Sequence, residues 1–277
     1  MARYQVILAY DGTGFLGFQR QANGRTVQGV VEDALVRIGW EGSSLLAAGR
    51  TDTGVHATGQ VVSFDLPWRH SSDQLQKALN VNLPLDVAAV DVRPVSDRFH
   101  PRYDALSRRY CYRLFCQPVR DPFRERFAWR VWPPVELPAL QTFARVLVGR
   151  FDFAAFGSPP KTGGSTTRTI FTASWQTSSC LKAKPDFHSE AEAGAPVLEF
   201  EIEAQAFLYH MVRRLVFVQV EAARNDWAVS DLSRLLEPGA DPVQGLAPPL
   251  GLYLTSVHYP EGGTGKNLPE GLEDEAA

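Results

Sequence analysis

Asp52 stands in the run Gly49-Arg50-Thr51-Asp52-Thr53-Gly54-Val55-His56-Ala57, flanked by glycines and threonines and two residues after Arg50. A carboxylate surrounded by hydroxyl and amide donors, beside a cation, is held in one geometry and favoured in its charged form. Those are the properties of a nucleophile or a base. The same residue types also make ordinary polar turns, so the run alone leaves both readings open. A second cluster lies in Phe207, Leu208, Met211, Val212, Leu215, Val216, Phe217, Val218 and Val220, an apolar stretch that Arg213 and Arg214 interrupt. An arginine there either extends its stem to solvent or meets a carboxylate, because an unpaired buried charge is very costly. The third feature is Arg98–Arg130, with nine arginines against three acids and no lysine, a local charge of +6. Guanidinium forks suit phosphate groups and stack on bases, while a solvated charged surface is the plainer alternative.

Other patterns point away from their usual chemistry. Gly12, Gly14 and Gly17 match the dinucleotide fingerprint G-x-G-x-x-G literally. That fingerprint needs its glycines to open a helix whose N-terminus faces a pyrophosphate, and here a polar loop, Phe18–Gly24, follows instead. Cys111, Cys116 and Cys180 have neither disulfide nor zinc spacing, and the six histidines show no ligand spacing, so no metal is expected. With 277 residues, 44% hydrophobic and 21% charged, the chain has the composition of a soluble globular protein. No stretch reaches the ~18 apolar residues of a membrane span. The apolar run at the N-terminus is too short for a secretory signal, which predicts a cytoplasmic protein. The net charge of −3 conceals an acidic tail at 261–277, of net −4, so the remainder sums to about +1. That Gly- and Glu-rich tail has a disordered composition.

The elements that must position these residues follow from periodicity. Tyr4–Tyr10 alternates as a strand, and Val27, Val30, Val31, Ala34, Leu35 and Ile38 make one face of a helix that Gly39 ends. Ser44–Gly49 and Gln60–Leu66 predict strands on either side of Asp52, followed by a helix over Ser71–Leu79 and a strand over Val87–Val92. A similar order returns. Ser107–Phe115 predicts a strand, Leu137–Val148 a helix, Arg168–Thr177 and Val197–Glu203 strands, Leu208–Asn225 a long buried helix, and Leu252–His258 a last strand. Phe156–Thr167 and Ser178–Ala195 predict surface loops. The repeat is one of pattern and not of identity. It predicts an α+β protein of two units sharing a sheet, with halves at 1–105 and 106–260.

On Gly49–Ala57, Arg109-Tyr110-Cys111-Tyr112 and Phe207-Leu208-Tyr209-His210-Met211-Val212-Arg213, the chain closely resembles the TruA family of tRNA pseudouridine synthases. Further motifs fall in the same order: Tyr10-Asp11-Gly12-Thr13 with Phe15, Gly17 and Gln19, Thr26-Val27-Gln28, Asp152–Phe156, Thr167–Ile170 and Ala247–Leu254. Together they span residues 4–259. The resemblance implies two similar α+β halves around an extended, mainly antiparallel sheet with a central active cleft. It implies isomerisation of uridine to pseudouridine at positions 38, 39 and 40 in the anticodon arm of tRNA, by a homodimer in which one tRNA contacts both subunits. Asp52 matches the family's nucleophile, Arg213 the arginine that pairs with it, and Arg50 a neighbour that helps displace the target nucleotide. Tyr110 matches the tyrosine that stacks on the target base, with Leu252 and Arg109 as further substrate-binding residues. No cofactor is implied, since the reaction is redox-neutral. On this resemblance Arg98–Arg130 becomes a candidate phosphate-binding face.

The chain departs from the family after Arg213, where glycines are usual and Phe217, Ala223 and Asn225 stand here. A phenylalanine in place of glycine on a packed helix requires a pocket somewhere else. Other readings lead elsewhere: an RNA-binding protein on the same scaffold without turnover, a dinucleotide-dependent oxidoreductase resting on Gly12, Gly14 and Gly17, or a glycoside hydrolase. The last usually needs a second carboxylate, and none is marked in the chain.

Overall fold

The computed structural model describes residues 1–159, 163–178 and 195–260. The acidic tail, Cys180 and all but the two end residues of the loop expected at Ser178–Ala195 lie outside the described residues.

The first part of the chain forms strand β1 (Ala2–Tyr10), helix α1 (Val27–Arg37), strands β2 (Leu46–Ala47) and β3 (His56–Leu66), helix α2 (Ser72–Asn82) and strand β4 (Val87–Val95). The rest gives β5 (Ser107–Cys116), β6 (Trp129–Val131), α3 (Leu137–Val146), β7 (Gly149–Asp152), β8 (Thr167–Thr177), β9 (Val197–Ala204), α4 (Met211–Arg224), α5 (Val229–Arg234) and β10 (Leu252–His258). The ten strands make one sheet in the order β4-β1-β3-β10-β5-β9-β8-β7, with β2 beside β3 and β6 beside β5. Pairing is antiparallel except β10 with β3 and β6 with β5. This is the mixed α+β, mainly antiparallel architecture expected from the sequence.

Local chemistry accounts for the element ends. Thr26 caps α1 by accepting a hydrogen bond from Gly29 N, and Gly39, at φ +94°, takes the left-handed position that stops it. Ser71 and Gln74 close a reciprocal capping box at α2. Two hydrophobic cores result. One gathers residues from Tyr4 to Val92 with Leu254, and the other gathers residues from Tyr112 to Leu252 with Val55; Tyr110 packs against both.

Three differences from the sequence reading bear on the site. β3 starts at His56 rather than Gln60, because β10 lies beside it with Tyr253 opposite His56 and Leu254 opposite Ala57. Gly59 permits that approach: a Cβ there would run into the Thr255 carbonyl. α4 starts at Met211 rather than Leu208, because His210 is left-handed, at φ 65°. The short β6, β7 and α5 were not expected, being too brief to carry a period.

Candidate active site

The Asp52 loop joins β2 to β3 and is tied from several sides. Val55 N donates to Asp52 O at 3.1 Å, closing a tight turn, and Gly54 sits in it at φ +79°, where a side chain would be strained. Thr51 Oγ1 shares a 2.8 Å hydrogen bond with the Tyr10 hydroxyl, and Thr51 O accepts from Phe18 N at 3.0 Å. The fingerprint glycines serve this loop. A Cβ on Gly12 would collide with the Val55 carbonyl, and one on Gly17 would press on the Thr51 carbonyl. Residues Gly12–Gly14 make only a short 3-10 turn, and α1 begins at Val27, so no helix N-terminus receives a pyrophosphate here.

His56 fixes the end of the loop. Its Nδ1 accepts from Gly12 N at 3.1 Å, so Nε2 carries the proton and donates to Leu250 O at 3.1 Å. Burial lowers its pKa, against the opposing pull of Asp11, so the ring is neutral near pH 7.

Arg213 crosses to Asp52 from the first turn of α4. Its Nη1 donates to Asp52 Oδ2 at 3.2 Å, and its Nε donates to Ala247 O at 2.8 Å. This supplies the acidic partner that the helix pattern required, 161 residues away in the chain. Arg214 reaches the Phe156 carbonyl at 3.3 Å instead. His210 Nε2 lies 3.5 Å from the same Asp52 oxygen. Burial lowers its pKa, Asp52 opposes that shift, and Arg213 and Arg214 reinforce it. The segment leading to β10 also makes the pocket for Phe217. A Cβ on Gly245 would overlap the Phe217 ring, so the glycine absent from α4 is compensated by one opposite it.

Asp52, Arg50, Tyr110, Arg213 and Leu252 all line one cleft of about 950 Å³. Tyr110 is half-buried, meets the Phe207 ring edge-on at 5.1 Å, and has its phenol pushed up to about 12 by burial. It remains protonated at neutral pH. Leu252 is buried in the cleft floor. Arg50 is exposed and, among the described residues, makes no ion pair with Asp52 or any other acid.

Arg109 is not brought to the cleft. Strand alternation places Arg108 and Tyr110 on one face of β5 and Arg109, Cys111 and Arg113 on the other. On that other face β9 sets Glu203 opposite Arg109 and Glu199 opposite Arg113, and both pairs close, at 2.6 and 2.9 Å. The expected phosphate-binding face is divided for the same reason. Arg120 and Arg130 pair with Glu125 and Arg126 with Asp11, so among Arg98–Arg130 only Arg102 and Arg108 line the cleft.

Among the described residues the cleft nevertheless carries six arginines, Arg20, Arg50, Arg102, Arg108, Arg168 and Arg213, and a single carboxylate, Asp52. Arg20 pairs with Glu32 and Arg213 with Asp52, while the other four meet no acid among the described residues. Such a surface accepts a polyanion. Arg108, Arg168 and His210 were not singled out from the sequence as site residues. All three stand in or beside the family motifs, which was the available signal. Among the described residues no group of three His, Cys, Asp or Glu side chains is disposed to hold a metal ion, and no helix is long and apolar enough to cross a membrane.

Two α+β cores on one continuous sheet, with an arginine-lined cleft around an ion-paired aspartate, are the arrangement that the family resemblance implied. A sequence model of the family described as tRNA pseudouridine synthase matches residues 6–104 and 143–260. The tRNA pseudouridine synthase A of Syntrophomonas wolfei is 35% identical over 262 residues, covering 94% of this chain and 99% of that protein. Those of Cereibacter sphaeroides and Geobacillus kaustophilus are each 37% identical, over 94% and 93% of this chain and 98% and 94% of their own. The chain belongs to the tRNA pseudouridine synthase family and is an isomerase.

Proposed function

We propose that the chain isomerises uridine to pseudouridine in the anticodon arm of tRNA, at positions 38, 39 and 40, with Asp52 as the nucleophile. The observation that carries this reading is the cleft with one carboxylate among six arginines: among the described residues the only acid there is the one paired with Arg213. Asp52 attacks the nucleoside, the N-glycosidic bond breaks, the uracil turns, C5 joins the ribose, and the bond to Asp52 breaks to give the carboxylate back. The hydrogen on C5 leaves and N1 gains one, so atoms and electrons balance without a cofactor.

The remaining residues fit roles around that step. A stem nucleotide must leave the stack, at a cost of a few kcal/mol. Stacking on Tyr110, worth about 1–3 kcal/mol, offsets part of it. Arg213 orients the attacking oxygen, Leu252 and Val55 exclude water beneath it, and Arg50 at the rim takes the displaced backbone. The reading extends to a cytoplasmic homodimer sharing each tRNA, and to halves at 1–105 and 106–260, supported by two large hydrophobic cores that meet at Tyr110.

Tritium release from tRNA carrying 5-tritiated uridine tests the proposal, because rejoining at C5 expels that hydrogen. Release by the wild type, with Asp52→Asn slower by about four orders of magnitude or more and nearly unchanged in tRNA affinity, is expected. Normal release by Asp52→Asn removes the nucleophile assignment. Tight binding without release from any tRNA favours the RNA-binding protein without turnover.

A further inference from the structure

Large aromatic side chains that face solvent are unusual inside an arginine-lined cleft, and this one contains two. Tyr103 is 49% exposed and Tyr209 59% exposed, and both line the same cleft as Asp52. Each is backed by a histidine. The ring of Tyr103 lies 4.3 Å from that of His100, and the ring of Tyr209 is stacked on that of His210 at 3.7 Å. Tyr209 is therefore supported on one side by a second flat ring, Tyr103 leans on a ring tilted by 38°, and both side chains stay open to solvent.

Both pairs are held by their backbones. His100 Nδ1 accepts hydrogen bonds from Arg102 N at 3.1 Å and Tyr103 N at 3.3 Å, and the buried Asp104 carboxylate accepts from His100 N at 2.9 Å. Tyr209 N donates to Ser158 O at 3.1 Å, and Gly157 lies so close that a Cβ would strike the Tyr209 carbonyl. His210 occupies the left-handed region, which a non-glycine residue keeps only when its surroundings impose it. The two tyrosines are thus preorganised rather than incidental to a mobile loop.

A flat, exposed ring in a cationic groove has the chemistry of a base-stacking platform for unpaired nucleotides. Apolar burial alone would serve a protein partner equally, but the four acid-free arginines of this cleft select a polyanion. We infer that the His100–Tyr103 and Tyr209–His210 pairs are two stacking platforms for the nucleobases that neighbour the target uridine in single-stranded form. The inference rests on the proposed function for the word target. His210 sets the scale: its Nε2 is 3.5 Å from Asp52 Oδ2, so a base on the open face of Tyr209 lies two rings removed from the nucleophile. Arg102, whose guanidinium lies over the Tyr103 ring 5.8 Å from its centre, is a cation for the phosphate of the other nucleotide.

The test uses the full chain and anticodon-arm RNA with 2-aminopurine placed on either side of the target uridine, read by fluorescence, alongside tritium release. Wild type is expected to quench the probe on binding. Tyr103→Ala and Tyr209→Ala should each lose quenching at one of the two positions and raise KM about 5- to 100-fold, with kcat within about threefold. Tyr→Phe at either site should restore both, and unfolding midpoints should not move, since both rings are exposed. Unchanged quenching and KM in the double alanine variant would overturn the inference. So would a Phe variant as defective as Ala, which would assign the hydroxyl and not the ring. Quenching by a wild type that releases no tritium would leave the platforms standing and remove the proposed reaction instead.

Discussion

Arg108 and Arg109 are neighbours in the chain and belong to different chemistries. Arg109 turns to the back of the sheet and closes on Glu203 at 2.6 Å. Arg108 turns to the cleft and donates its guanidinium hydrogens to the carbonyls of Gln205, Ala48 and Arg102, and its charge meets no acid among the described residues. The back face is a ladder of neutralised pairs that ties β5 to β9. The cleft face keeps positive charge unpaired around one aspartate. Arginine count therefore says little about polyanion binding until the carboxylate opposite each arginine is known.

The largest effect should come from breaking the ion pair in the cleft and comparing it with a break on the back. Arg213→Ala strips Asp52 of its partner and leaves the Ala247 carbonyl without its donor. Removing one member of a largely buried pair is costly, about 3 kcal/mol here because Asp52 is partly open to solvent. Misplacing the attacking oxygen should also slow tritium release by about 100-fold or more. Arg109→Ala removes a half-exposed partner and should change stability by about 1 kcal/mol or less, with turnover intact. Urea unfolding beside tritium release measures both, and equal losses in the two variants would erase the distinction between the faces.

The second test sharpens the same contrast through salt. Arg50 and Arg168 line the cleft without an acidic partner, whereas Arg109 is paired. Removing one arginine that neutralises a phosphate should lower the slope of log affinity against log salt by about 1. Arg50→Ala and Arg168→Ala should each do so for tRNA, and Arg109→Ala should leave the slope unchanged. A reduced slope for Arg109→Ala would return that residue to the substrate-binding set the family resemblance implied.

The division between faces also explains what the sequence disclosed. The 3.6-residue period located α1 and α3, and glycine at position 39 located the end of α1, because these are local properties of the chain. Asp52 and Arg213 were each suspicious alone, the first for its loop and the second for its apolar helix; only folding brings them to 3.2 Å. The side of β5 on which each arginine lies follows from alternation, but the acid awaiting Arg109 sits on β9, 94 residues later. Insertion of the C-terminal strand β10 between β3 and β5 left no local trace either, and it is what extends β3 back to His56. The role of Gly245 as the pocket for Phe217 needs the contact itself.

His56 lies where the two regions meet, and a smaller effect separates its part in each. It bridges Gly12 N and Leu250 O beside the Asp52 loop, while its ring stacks on Tyr253, 4.7 Å away on the back of the sheet. Burial is the main cause of its lowered pKa; Asp11 and the Leu250 carbonyl oppose the shift, and Arg113 adds to it. A histidine whose folded pKa is below its unfolded value leaves stability intact above about pH 6.5. Below that the unfolded chain takes up the proton first, and stability falls as pH falls. The slope from this one group cannot exceed about 1.4 kcal/mol per pH unit. His100 and His210 are shifted the same way and contribute in the same sense. Urea unfolding of His56→Gln between about pH 7.5 and 5.5 should therefore show a shallower loss than wild type, whatever its absolute stability. Parallel curves would mean that folding leaves the His56 pKa unshifted, and a steeper loss than wild type would mean that His56 is already protonated when folded. The Gly12 N–H bond to Nδ1 would then be impossible, because both ring nitrogens of a cationic histidine are donors.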